Sequence, residues 1–132
     1  MTTPYELLGG EAALRALTTR FYQYMDTLPE ARTIRAMHPA NLDESTEKLF
    51  MFLSGWLGGP NLYIERFGHP FLRARHMPFS IASPDASAWM LCMRRALEDT
   101  VADSTLRAQL EKALGGIADH MRNKADHPQD AG

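Results

Sequence analysis

Gly58-Gly59-Pro60-Asn61-Leu62-Tyr63-Ile64-Glu65-Arg66-Phe67-Gly68-His69-Pro70-Phe71-Leu72-Arg73-Ala74-Arg75-His76-Met77-Pro78-Phe79 is the stretch on which the reading of this chain turns. It interrupts a sequence that is otherwise helical in pattern, with two apolar-periodic helices before it and two after. It holds three of the eight prolines, two of the five histidines, three arginines and three phenylalanines. A turn-rich, aromatic-rich insert between helices is a better candidate for a site than for a spacer. His76, between a basic run and Met77-Pro78-Phe79, is its most pointed residue.

Working outward, the flanks read as amphipathic helices. Residues 4–8 can form one helical turn, stopped by Gly9-Gly10. From Glu11, the residues Leu14, Leu17, Phe21, Met25 and Leu28 step by fours and threes, and Pro29 ends the run. Tyr22 borders that stripe. A short turn and loop anchored by Ile34 and Met37 follow, closing at His38-Pro39. Asp43 or Ser45 is the expected cap of the next helix, whose stripe is Leu49, Phe52, Leu53, Trp56 and Leu57. Gly58-Gly59-Pro60 terminates it. Beyond the insert, Ser83 is the expected cap with Pro84 at the first helical position. The stripe there is Trp89, Met93, Ala96, Leu97 and Val101. Asp103 or Ser104 caps a last helix with Leu106, Leu110, Leu114, Ile117 and Met121 inside. Gly115-Gly116 falls within it and predicts a bend or a close contact. No alternating strand pattern occurs, so the fold class is all-α. One domain is expected over residues 1–122, with 123–132 a polar, disordered tail.

Composition narrows the function classes. With 132 residues the chain can bury a core without disulfide staples. A formal charge of -2 lacks the basic footprint of a nucleic-acid binder. Cys92 is the single cysteine and excludes a disulfide framework; its helical position suits a small core residue. No run reaches the roughly 18 apolar residues of a membrane span. The first residues lack the basic and apolar regions of a signal peptide, so a cytoplasmic location is expected. P-loop and zinc-site spacings are missing.

The histidines differ in their prospects. His127 sits in the tail and His120 on a polar helix edge, both expected to be solvated. His38 and His69 each precede a proline, which suits a structural turn. His76 would end a short helix among Phe71, Leu72, Phe79 and Ile81, with arginines within a turn. From the residues alone, a structural histidine and a metal ligand are both open there. The large residues Phe52, Trp56, Tyr63, Phe67, Phe71, Phe79 and Trp89 exceed what a small core needs. They suit a flat apolar cofactor, and a lone axial histidine with arginine for carboxylates is what haem requires.

The pattern resembles the group II truncated haemoglobins. Tyr5-Glu6-Leu7-Leu8-Gly9-Gly10, Phe21-Tyr22, Phe52-Leu53, Leu57-Gly58-Gly59-Pro60 and Leu62-Tyr63 carry the likeness, with Gly68-His69-Pro70 through Pro78-Phe79 its most specific part. Trp89 and Cys92-Met93 follow at the expected interval, and the likeness extends to about Arg122. It implies a two-over-two helical sandwich around one haem b, with His76 as the axial iron ligand. Tyr22 and Trp89 match distal ligand-binding positions, as do Leu49 and Ser45 on the helix before Gly58. Arg75, Tyr63 and Lys48 match cofactor-carboxylate positions; Phe52, Phe67, Phe79 and Met93 would line the ring.

The resemblance further implies a five-coordinate iron that binds oxygen, nitric oxide and carbon monoxide. Slow oxygen release follows, or redox handling of nitric oxide or peroxide (nitric oxide dioxygenase or peroxidase-like activity) with a reductase as partner. A monomer or weak homodimer, without nucleic acid or membrane, is expected. The reading from a different class is a haem-free helical protein-interaction module, with the central stretch as its partner-binding loop.

Overall fold

The stripe of the first long helix is buried as its spacing requires: Leu14, Leu17, Phe21 and Met25 are inside, while Leu28 at its end is half-buried. The computed structural model describes residues 2–70 and 81–122. Among these, every regular element is helical. They are α1 (Pro4–Leu8), α2 (Gly10–Thr27), a 3-10 turn (Pro29–Ala31) running into α3 (Arg32–Ala36), α4 (Asp43–Trp56), α5 (Leu62–Phe67), α6 (Ser83–Thr100) and α7 (Ser104–His120). No described helix is long and apolar enough to cross a membrane. His76, Arg75, Phe79 and the tail lie outside the described residues.

Two helix pairs make the body. α2 packs on α4, α6 packs on α7, and the widest contact joins α2 to α6. Charged ties reinforce these contacts. Arg15 on α2 bridges Glu47 on α4 at 2.8 Å and covers the Phe50 ring at 4.0 Å. On the other side of α2, Arg20 pairs with Asp99 of α6 at 2.7 Å, and the Tyr24 hydroxyl donates to the same carboxylate.

Helix ends follow capping chemistry, with two corrections. Asp103 caps α7 as expected, accepting from Thr105 and Leu106 at 2.9 and 3.1 Å. At α4 neither Asp43 nor Ser45 is the cap. Leu42 occupies that position, and the Asn41 side chain accepts the Asp43 amide at 2.8 Å. At α6 the cap is Ala82 and not Ser83. Asp85 closes the end by accepting the Ala82 amide at 3.0 Å, which places Pro84 in the first turn, where no amide is needed.

The turn after α4 explains its glycine pair. Gly58 has φ +91°, a left-handed conformation that L side chains resist. At Gly59 an added Cβ would lie 2.5 Å from the Tyr5 ring, so α1 can seat there only against glycine. The Tyr5 amide then donates to the Leu57 carbonyl at 2.9 Å. Ser54, fully buried, donates to the Pro60 carbonyl at 2.7 Å and folds the loop back over α4.

One expectation about a helix interior fails. In α4 the buried set is Phe50, Met51, Leu53 and Ser54, followed by Leu57. Leu49 and Phe52 are only half-buried, and Trp56 is 51% exposed. The cause is that α4 is apolar on two faces, of which only one meets the core. In α7 the helix runs through Gly115-Gly116 without interruption, from Ser104 to His120, and an added Cβ at Gly115 would make only an ordinary contact, 4.0 Å from Met90 Cε. Each glycine costs about 1 kcal/mol against alanine. Burial of Leu106, Leu110, Leu114 and Ile117 outweighs that cost.

Candidate cofactor and ligand site

The second face of α4 is the wall of a cavity. Phe52, Gly55 and Trp56 on α4 meet Tyr63 and Ile64 of α5 around a space of about 620 Å³. That volume is in the range of small-molecule and cofactor sites. The rings form a run: Trp56 to Phe52 at 5.6 Å, Phe52 to Tyr63 at 6.3 Å, and Tyr63 to Phe67 at 4.9 Å between centroids. α5 was not foreseen in the sequence, where the surrounding prolines and glycines concealed it. Gly68 was the available signal: it ends α5 with φ +80° and ψ -160°, a conformation that only glycine adopts freely. Lys48, exposed and paired with Glu44 at 2.9 Å, reaches over the Phe67 ring at 5.6 Å. Its ammonium therefore stands beside the aromatic run.

The opposite wall comes from α7, through Gly116, Ile117 and His120. His69 and Pro70 border the cavity as well. His120 and His69 are thus lining residues, not merely a solvated edge and a turn. Both sit where the surrounding surface is apolar, which periodicity in one helix cannot reveal.

The ligand-directed residues gather on α2 and α6. Phe21 is fully buried, with the Tyr22 ring edge-on at 4.8 Å and the Trp89 ring at 5.1 Å. Tyr22 is 8% exposed, and burial raises the pKa of its phenol, so it remains a neutral O–H donor at ordinary pH. Among the described residues, neither the Tyr22 hydroxyl nor the Trp89 indole N–H has a protein hydrogen-bond partner.

His38 belongs to this group too, and sequence reasoning assigned it only a turn. Its ring stands edge-on to Tyr22 at 5.7 Å. Nδ1 lies 2.8 Å from the Ile34 carbonyl oxygen. A carbonyl can only accept, so Nδ1 carries the proton in that contact. Arg35 holds the loop that presents His38, bonding Asp26 at 2.9 Å and the carbonyls of Pro39 and Ala40 at 3.0 and 2.9 Å.

The expected site residues therefore fall into two described clusters. Phe52, Tyr63, Phe67 and Lys48 belong to the aromatic wall, and Tyr22 and Trp89 to the donor cluster around Phe21. Ser45 and Leu49 are half-buried on α4 and do not line the cavity among its described walls. Met93 is fully buried in the core, as is Cys92, whose thiol burial pushes up to about 11. Among the described residues no group of three or more His, Cys, Asp or Glu side chains could hold a bare metal ion.

Comparison with known proteins is consistent throughout. A family model described as bacterial-like globin matches residues 3–123. A group 2 truncated haemoglobin of Bacillus subtilis is 38% identical over 93% of this chain and 90% of its own length. The cold-adapted truncated haemoglobin of the Antarctic marine bacterium Pseudoalteromonas haloplanktis superposes with a TM-score of 0.90 at 46% identity, covering 93% of this chain and 99% of that one. The structure of a truncated oxygen-avid haemoglobin from Bacillus subtilis gives 0.84 at 38% identity, covering 92% and 100%.

Proposed function

Because the chain belongs to the bacterial-like globins, and within them to the group II truncated haemoglobins, we propose that it seats one haem b and retains oxygen through Tyr22 and Trp89. Haem, when bound, supplies an iron that takes oxygen, nitric oxide or carbon monoxide. Everything else in this reading is the work of the chain. The fit rests on the cavity: its walls are aromatic and apolar, as a flat ring requires, and polar groups collect at Asn61, Tyr63, His69 and His120. Phe52, Tyr63 and Phe67 would hold the ring, with Phe79 from beyond the described residues. Lys48, Tyr63 and Arg75 would meet its carboxylates, and His76 would hold the iron, as the resemblance implies.

The observation that carries the proposal is Tyr22, a residue only 8% exposed whose hydroxyl has no acceptor among the described residues. Packing against Phe21 and His38 fixes the ring, so little ordering remains when an acceptor arrives. An oxygen ligand presents partial negative charge, and a charge-assisted hydrogen bond to it is worth about 1.5–3 kcal/mol. Two such donors, Tyr22 and Trp89, slow release about a hundredfold even at the low end. Leu49 adds none, since its side chain cannot donate, and Ser45, in the polar first turn of α4, is assigned a minor share. The oxygen-avid relative from Bacillus subtilis supports retention over delivery. Retained oxygen beside fixed donors suits oxidation of nitric oxide, and the same donors suit peroxide handling; turnover would draw electrons from a reductase.

Stopped-flow oxygen dissociation from the haem-loaded chain tests this reading. Tyr22→Phe removes one donor at constant shape and should release oxygen about tenfold faster. An unchanged rate would remove Tyr22 from the ligand site.

A further inference from the structure

Gly116 lies in the middle of α7, where glycine is a poorer helix former than alanine. The usual reasons for a helical glycine do not apply to it. The glycines with left-handed φ among the described residues are Gly9, Gly10, Gly58 and Gly68. A Cβ built on Gly116 meets nothing within 4 Å among the described residues, so none of the described elements presses against it. The helix continues unbroken to His120, so it is no hinge. What Gly116 faces is the aromatic cavity, with Ile117 and His120 beside it on the same wall. Residues 116 and 120 are one helical turn apart, so a side chain at 116 would project beside His120.

Resting on the haem reading of that cavity, we infer that Gly116 is a positioning residue for the cofactor. Its missing side chain keeps open the space between α7 and the Phe52–Tyr63 wall into which the edge of a flat ring slides. Gly115 provides the internal comparison. It carries the same helix cost but faces α6, where an added Cβ would lie 4.0 Å from Met90 Cε, an ordinary contact. It lines a separate, smaller groove with Ser83, Ala86 and Arg94. A methyl group there improves the helix and touches no part of the cofactor cavity.

The test compares the full-length chain with Gly115→Ala, Gly116→Ala and Gly116→Leu. Two quantities are read: haem transfer from the loaded protein to an excess of a haem-scavenging apoprotein, and far-ultraviolet melting of the haem-free chain. Helix propensity alone predicts that both alanine variants melt higher and release haem at the wild-type rate. The inference predicts that Gly116→Ala melts higher yet releases haem faster. Gly116→Leu should release it about tenfold faster or more, the consequence of overfilling a shaped site. Gly115→Ala should keep the wild-type rate. Should the leucine variant not fold, Gly116→Ala still decides, because alanine favours the helix and meets no neighbour. Equal release rates in all variants would overturn the inference while the haem reading stands. Failure of the wild type to take up haem would overturn the reading beneath it.

Discussion

α4 divides the molecule into two regions of opposite character. On its inner side Phe50, Leu53, Ser54 and Leu57 are buried against α2, and the outer ends of α2 and α6 are tied by Arg20, Tyr24 and Asp99. On its outer side Phe52 and Trp56 join Tyr63 around an open cavity, with Phe67 packed on Tyr63 and Trp56 half exposed. The same contrast recurs within α2. The Tyr24 hydroxyl is paired with Asp99, whereas the Tyr22 hydroxyl has no acceptor among the described residues. The inner region stabilises the fold; the outer region and Tyr22 hold apolar surface and a donor in readiness for something else. Substitutions on the two sides should therefore separate folding from binding.

The largest expected effect is on the inner side. Leu53 is fully buried, so Leu53→Ala should cost about 2–5 kcal/mol of haem-free stability in a urea titration. A cost below that range would show that the inner face is less closed than its burial indicates. Next comes the ligand pair: Tyr22→Phe combined with Trp89→Phe should release oxygen about a hundredfold faster, with haem-free stability nearly unchanged. Trp56→Ala, on the outer face, should barely alter the urea midpoint of the haem-free chain yet speed haem release; the reverse pattern would erase the division along α4. Tyr24→Phe should lower the melting temperature slightly and leave oxygen release alone.

The smallest effect is a pH slope. Cys92 is buried and its thiol is pushed up to about 11, so the folded chain keeps the proton that the unfolded chain gives up earlier. The unfolded thiol titrates near pH 8.5. Its contribution is complete below that pH and is lost as pH rises toward 11. Cys92→Ala should flatten this part of the stability profile, as measured by denaturation at pH 8, 9 and 10. An unchanged slope would assign it to other groups.

Much of the inner region was legible in the sequence because it obeys a single period. Leu14-Leu17-Phe21-Met25 and Leu106-Leu110-Leu114-Ile117 are stripes that one face of a helix must bury. Tyr22 and Trp89 were visible only through the family resemblance, since periodicity reads both as core aromatics. The outer region resisted for a physical reason: a cavity wall is apolar like a core. Phe52 and Trp56 therefore read as buried when they line an opening. His120 is exposed and His38 holds a turn through the Ile34 carbonyl, as their local pattern suggests. That His69 and His120 share a cavity and His38 meets Tyr22 depends on elements far apart in the chain, which no local pattern encodes.

The central claim, that the outer region is a haem seat, is tested most directly by titrating the purified full-length chain with haem and following the Soret band. The account predicts saturation at one haem per chain. A chain that develops no Soret band under haem excess would contradict it and leave a helical interaction module as the better reading.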